Sequence, residues 1–149
     1  MGRVIAFFAA LAVVGGCGTE RPRGVEMVPA DAAGEVPAIV KRELSRAARD
    51  RKQLLVYVGA KWCEPCRRFH QAAAEHKLDR DFPQLRLLEF DDDRDAARLA
   101  MAGYSGQYIP LFARPGADGR GSGRQIEGSV KGDGAVDQIV PRLRTLLTP

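Results

Sequence analysis

A chain of 149 residues has room for one ordinary domain and little more. Apolar residues at 45% and charged residues at 28% lie near the globular average, so a core can form and global disorder is excluded. The 23 Lys and Arg against 19 Asp and Glu leave a net charge of +4, scattered rather than gathered in a run, which argues against nucleic acid as a partner.

Met1-Gly2-Arg3 gives a positive start, and Val4 to Val14 is an uncharged apolar run ending at Gly15-Gly16-Cys17. That run is too short for a bilayer core, which takes about 20 residues, and fits the apolar region of a secretory signal. Small residues before a cysteine, here Val14-Gly15-Gly16-Cys17, resemble a bacterial lipobox, in which cleavage before the cysteine leaves a thiol that carries lipid. The resemblance implies a signal peptide over residues 1–16, lipidation at Cys17, and an exported protein facing the periplasm. Gly18, standing where some lipoproteins carry the aspartate that holds them at the inner membrane, favours the outer membrane. Ordinary cleavage with a free Cys17, or a retained anchor, are the blander alternatives.

Residues 17–34 are rich in Gly, Pro, Ala and charge and read as a tether, within which Val25 to Val28 can form a short edge strand. The folded domain is expected over residues 35–149. From Glu35 to Lys52 the apolar positions Val36, Ile39, Val40, Leu44, Ala47 and Ala48 recur at helical spacing, leaving Arg42, Arg46, Arg49 and Arg51 to face water. Leu54 to Val58 is apolar on both faces, as a strand buried in a parallel sheet would be. A helix is expected from about Glu64 to Lys77, with Pro65 in its first turn where a missing N–H is tolerated. Leu85 to Phe90 reads as a second buried strand. Asp91 to Asp95 offers caps for a short helix through about Ala102, the acidic residues being a helix start plus a solvated face. Ile109 to Ala113 and Arg124 to Ser129 read as two strands joined by the loop from Pro115 to Gly123. The loop's alternating glycines precede a strand and lack a following lysine, so they are a flexible turn rather than a phosphate cradle. Val136, Ile139, Val140, Leu143, Leu146 and Leu147 mark a last helix, which Pro141 should kink or split.

Cys63 and Cys66 form a C-x-x-C pair where a strand turns into a helix. A thiol at a helix N-terminus sees unpaired N–H groups and the positive end of the dipole, which stabilise the thiolate that disulfide exchange requires. The second thiol, one turn inside the helix and beside Phe69, can attack a mixed disulfide formed at the first. A structural disulfide closing so short a loop would be a poor staple. Haem attachment would need a histidine where Arg67 stands. Copper or zinc could use Cys63, Cys66 and His70, whereas His76 lies around the helix from them; a lone helical histidine is more often solvated than ligating.

Trp62-Cys63-Glu64-Pro65-Cys66 after a buried strand, together with Tyr108-Ile109-Pro110 before the hairpin, resembles the thioredoxin-like family over about Val25 to Leu147. The resemblance implies an α/β domain with a central mixed sheet of four or five strands and helices on both faces. It implies Cys63 and Cys66 as catalytic residues, Glu64 and Pro65 as the active-site loop, and Trp62, Ile109 and Pro110 as the substrate contact, with Pro110 matching the family's cis-proline. An ordinary trans turn at Pro110, and a plain core or rim aromatic at Trp62, are the alternatives. The expected function is a thiol–disulfide oxidoreductase acting on protein disulfides, as reductase or isomerase rather than oxidase. A metal carrier or a docking scaffold on the same fold are the competing readings. Protein disulfide substrates, a redox partner and the membrane through Cys17 are the expected partners, for a monomer with no cofactor and no metal.

The chain departs from the family at Tyr57, where typical members carry a buried acid that takes the proton of the second cysteine. Glu89 or Glu64 are the carboxylates left to substitute. Glu64 is expected on the surface, its charge opposing ionisation of Cys63, with Lys61 and Arg67 opposing Glu64 in turn.

Overall fold

Residues 24–149 are described by a computed structural model. The elements in chain order are β1 (Gly24–Pro29), α1 (Val36–Arg49), β2 (Gln53–Gly59), α2 (Glu64–Ala74), β3 (Gln84–Asp91), α3 (Asp92–Met101), β4 (Leu111–Pro115), β5 (Gly121–Glu127) and α4 (Gly134–Leu147). They build one five-stranded sheet in the order β1-β3-β2-β4-β5. β1, β3 and β2 run parallel, while β4 pairs antiparallel with β2 and β5 antiparallel with β4, so the sheet is mixed.

Alternation along β2 explains the layers. Val56 and Val58 point to one face, where Val36, Ile39 and Val40 of α1 and Leu99 of α3 cover them. Leu55 and Tyr57 point to the other, against Phe69, Ala72 and Ala73 of α2 and Ile139 and Leu143 of α4. Helices on both faces account for the continuous apolar runs of β2 and β3, which are buried from either side. The strongest periodic signals in the sequence therefore correspond to real elements, displaced by up to three residues at their ends.

The short edge strand expected over Val25 to Val28 is present as β1, Gly24 to Pro29, in register with Gln84 to Glu89 of β3, and Val25 and Met27 pack against the core. Three readings are changed by the structure. The helix after the cysteines stops at Ala74 rather than Lys77, because the chain turns through His76 at φ 59°. β5 begins at Gly121, earlier than Arg124, because Gly121 lies against Gly103: a Cβ there would meet the Gly103 carbonyl oxygen at 2.0 Å, so only glycine lets the strand pass. α4 is not split at Pro141: it runs as one helix from Gly134 to Leu147, with Ile139, Leu143 and Leu146 buried. Asp91 caps α3 as expected, accepting from the Asp93 N–H at 3.0 Å. Asp95, by contrast, is buried rather than solvated.

Residues 1–16, Cys17 and the first part of the tether lie outside the described residues. Among the described residues no helix is long and apolar enough to cross a membrane.

Candidate active site

β2 ends at Gly59, and a tight turn places Cys63 as the N-cap of α2, in extended backbone, with its sulfur accepting the Cys66 N–H at 3.2 Å. Cys63 and Cys66 are joined as a disulfide with their Cα atoms 5.3 Å apart. Pro65 sits in the first turn and is buried. Both cysteines are buried in this oxidised form: Cys63 is 4% exposed and Cys66 2%. The Cys66 N–H and the walls of the adjoining groove occupy the space around the Cys63 sulfur. What separates the two sulfurs is which cavity each one borders.

Cys63 borders an open groove of about 670 Å³ with Trp62, Tyr108, Ile109 and Val130 among its walls. Trp62 is 63% exposed and donates its indole N–H to the Asp93 carboxylate at 3.1 Å, which fixes the ring beside the groove. The Ile109–Pro110 peptide bond is cis. The Pro110 carbonyl accepts from the Gly128 N–H at 2.9 Å on the β5 side. Ile109, immediately before it, is part of the wall of the groove that Cys63 borders.

Three residues that hold this groove are invisible to motif reasoning. Glu127 accepts the N–H groups of Gln107 at 2.6 Å and Tyr108 at 3.2 Å, fixing the approach to Pro110. Arg142 donates to the carbonyls of Glu127 and Gly128 at 2.7 and 2.9 Å, tying α4 to the groove floor. Asp93 holds Trp62. Each acts on a segment distant in sequence, so no local spacing announces it.

Glu64 is half-buried rather than free on the surface. It accepts the Gly132 N–H at 3.1 Å and lies 3.6 Å from Arg68, which also pairs with Asp133 at 3.0 Å. Its charge is thus shared with a cation on α2, and its contacts serve to dock the segment before α4. Arg67 donates to the Lys61 carbonyl at 3.2 Å, bracing the turn before Cys63.

Cys66 borders a second cavity, of about 450 Å³, on the other side of the disulfide. Tyr57 forms part of its wall; its ring packs against Phe69 and Phe112 at 6.0 and 5.0 Å. The Tyr57 hydroxyl is buried with no hydrogen-bond partner, and burial, with the nearby Glu89 charge, pushes its ionisation well above the ordinary phenol range. It stays protonated and does not replace an acid as a proton acceptor. Glu89 instead meets His70, whose Nε2 lies 2.8 Å from the carboxylate. That contact engages one nitrogen of the third candidate ligand for copper or zinc. Among the described residues no group of three or more His, Cys, Asp or Glu side chains is placed to share a metal ion. His76 stands apart, paired with Asp79 at 2.8 Å.

A family model described as thioredoxin-like matches residues 37–114, from α1 through β4, and so spans the cysteine pair and Pro110. The chain belongs to the thioredoxin-like family. Among solved structures it is similar to a thioredoxin h from poplar, at 24% identity over 80% of this chain and 96% of that one, with a TM-score of 0.47. It is also similar to oxidised thioredoxin O1 from Arabidopsis thaliana, at 17% identity over 84% and 99% of the two chains, TM-score 0.46. A mutant thioredoxin from Halobacterium salinarum aligns at 21% identity over 89% and 100%, TM-score 0.46. No curated protein matches the chain. A thioredoxin-like domain carrying the Cys63–Cys66 pair supports thiol–disulfide oxidoreductase chemistry in general.

Proposed function

We propose that this thioredoxin-like protein reduces or isomerises protein disulfides on the periplasmic side of a membrane, to which lipid on Cys17 holds it, the outer membrane being favoured. Reduced Cys63 attacks one sulfur of a substrate disulfide, the other substrate sulfur leaves as a thiolate, and Cys66 then attacks Cys63 and releases the second substrate thiol. Two electrons pass to the substrate and the cysteine pair becomes the disulfide. Trp62, Ile109 and Pro110 receive the substrate: the backbone groups of Ile109 pair with an extended segment as an added strand does, reading main chain rather than sequence. A protein dithiol partner restores the reduced pair.

The observation that carries this reading is the division of one disulfide between two cavities. Cys63 borders the open groove beside Ile109, and Cys66 borders the cavity behind it. Only an exchange enzyme needs such unequal thiols. Cys66→Ser is therefore expected to accumulate partner proteins as mixed disulfides that vanish on reduction, while Cys63→Ser accumulates almost none. Equal behaviour of the two variants, together with stoichiometric copper or zinc on the wild-type protein, would establish a metal carrier instead. The direction is checked by the reduction potential of the pair: a value near about −270 mV fits a reductase, and one near about −120 mV an oxidant.

A further inference from the structure

The second attack in this cycle needs Cys66 as a thiolate, and Cys66 is 2% exposed, so its proton must leave through the cavity that it borders. Desolvation resists that ionisation, and an exchange enzyme gains from a base within reach. Six titratable or charged groups line the same cavity from the surrounding elements beside His70: Tyr57 on β2, Lys61 on the turn, Arg67 on α2, Glu89 and Asp91 on β3, and Arg94 on α3. Most are already engaged. Asp91 caps α3, Arg94 pairs with Asp95 at 2.7 Å, Arg67 braces the Lys61 carbonyl, and the Tyr57 hydroxyl stays protonated.

His70 is placed differently. It follows Cys66 by four residues on α2, which puts the two side chains on one helical face, about 5–6 Å apart at their Cβ atoms. Its Nε2 faces the Glu89 carboxylate at 2.8 Å. A carboxylate only accepts, so the neutral imidazole carries its proton on Nε2 and keeps the lone pair on Nδ1.

We infer that His70, oriented by Glu89, is the proton acceptor for Cys66 in the step that resolves the mixed disulfide. The inference rests on the oxidoreductase reading above. In that step the Cys66 S–H proton passes to His70 Nδ1, directly or through one water in the cavity. The Cys66 sulfur forms its bond to Cys63 Sγ, and the bond from Cys63 to the substrate sulfur breaks with its electron pair on the departing thiolate. The imidazolium is held by Glu89 and returns its proton to solvent through its partly exposed edge. Glu89 is a positioning residue, since it acts on the reacting sulfur only through His70.

The test separates the two attacks. An aromatic disulfide whose thiolate absorbs visible light releases one equivalent when Cys63 attacks and a second when Cys66 resolves. His70→Ala is expected to leave the first release within about twofold of wild type and to slow the second by about 10²-fold near neutral pH. The slowed release should then climb steadily with pH, where the wild-type rate levels off, and added imidazole should restore part of it. Glu89→Gln keeps a hydrogen bond but loses the charge, and should slow the second release by about tenfold without help from imidazole. A second release in both variants that follows the wild-type pH profile, or a His70→Ala rate that imidazole does not raise, would overturn the assignment. Absence of any first release from wild-type protein would instead overturn the oxidoreductase reading itself.

Discussion

Asp95 is fully buried and still charged, because every direction around its carboxylate holds a donor. Arg94 reaches it at 2.7 and 2.8 Å, Arg98 at 3.0 Å, and the Asp91 N–H at 3.0 Å. Burial alone would raise its ionisation point; the Arg94 bonds, the Asp91 N–H and Arg98 outweigh it, and the net displacement is downward. A carboxylate held below its unfolded value of about 3.9 stabilises the fold above that pH, and the contribution is lost as pH falls through the lower folded value. Asp95→Asn should therefore cost about 1–3 kcal/mol at neutral pH, from donors left unpaired. The gap between variant and wild type should begin to narrow below about pH 4 and close only as pH falls through the lower folded value, which urea titrations at neutral and acid pH would measure. A gap that persists unchanged in acid would mean that packing, not charge, holds Asp95. Sequence reasoning placed Asp95 on a solvated face because an acidic run at a helix start has that meaning in most contexts. What defeats it is Arg98, which also bonds the Gly34 and Asp31 carbonyls and so closes α3 over the segment that leads into α1.

The helices and buried strands were legible because each repeats a simple pattern, while most places where a local pattern misled have a partner far along the chain. Gly121 belongs to a strand because Gly103 leaves room for nothing larger, and β1 exists because the edge of β3 accepts it. Pro141 is the clearest case. Its ring removes one helical N–H and crowds the carbonyl one turn back, at Asp137, a defect worth about 3 kcal/mol in a helix on its own. α4 survives because Ile139 and Leu143, on either side, are fully buried against α2 and the sheet. Pro141 itself faces solvent, so replacing it removes little packing. Pro141→Ala should raise stability by about 1–3 kcal/mol, seen as a melting temperature higher by several degrees. An unchanged or lower melting point would show that the helix has already adapted to the proline, with its stiffening of the unfolded chain as the larger effect. Redox activity should be unaffected, since the groove is held by Arg142 through its side chain rather than by the Pro141 backbone.

Strand polarity sets how the domain would sit if lipid holds it at Cys17. β1 runs parallel to β2 through their shared partner β3, so Gly24 lies at the sheet end where these strands begin and the cysteine turn lies where they finish. β2 from Gln53 to Gly59 has 7 residues, which at about 3.3 Å each separates the two ends by roughly 20 Å. With β1 starting at Gly24, the stretch from Cys17 to the sheet is residues 17–23, 7 residues against the 18 of the expected tether. Its full extension reaches only about 25 Å, at 3.3–3.6 Å per residue. If lipid on Cys17 holds the chain, a leash of that reach at the far end of the sheet would leave the disulfide and the Ile109 groove free to face away from the lipid surface, toward soluble partners. The Cys17 reading thus carries two measurable consequences. The mature chain should show diacylated Cys17 as its first residue by mass spectrometry and partition with membranes, whereas a chain of residues 18–149 exported behind a cleavable signal should be soluble. The full chain, in vesicles, should also reduce a soluble protein disulfide within about twofold of the soluble form, since diffusion to an outward-facing site is little hindered. An unmodified Cys17 would remove the anchor from the picture. Acylated protein that reacted many-fold more slowly in vesicles than in solution would instead put the active site against the membrane, and the strand argument for its direction would fail.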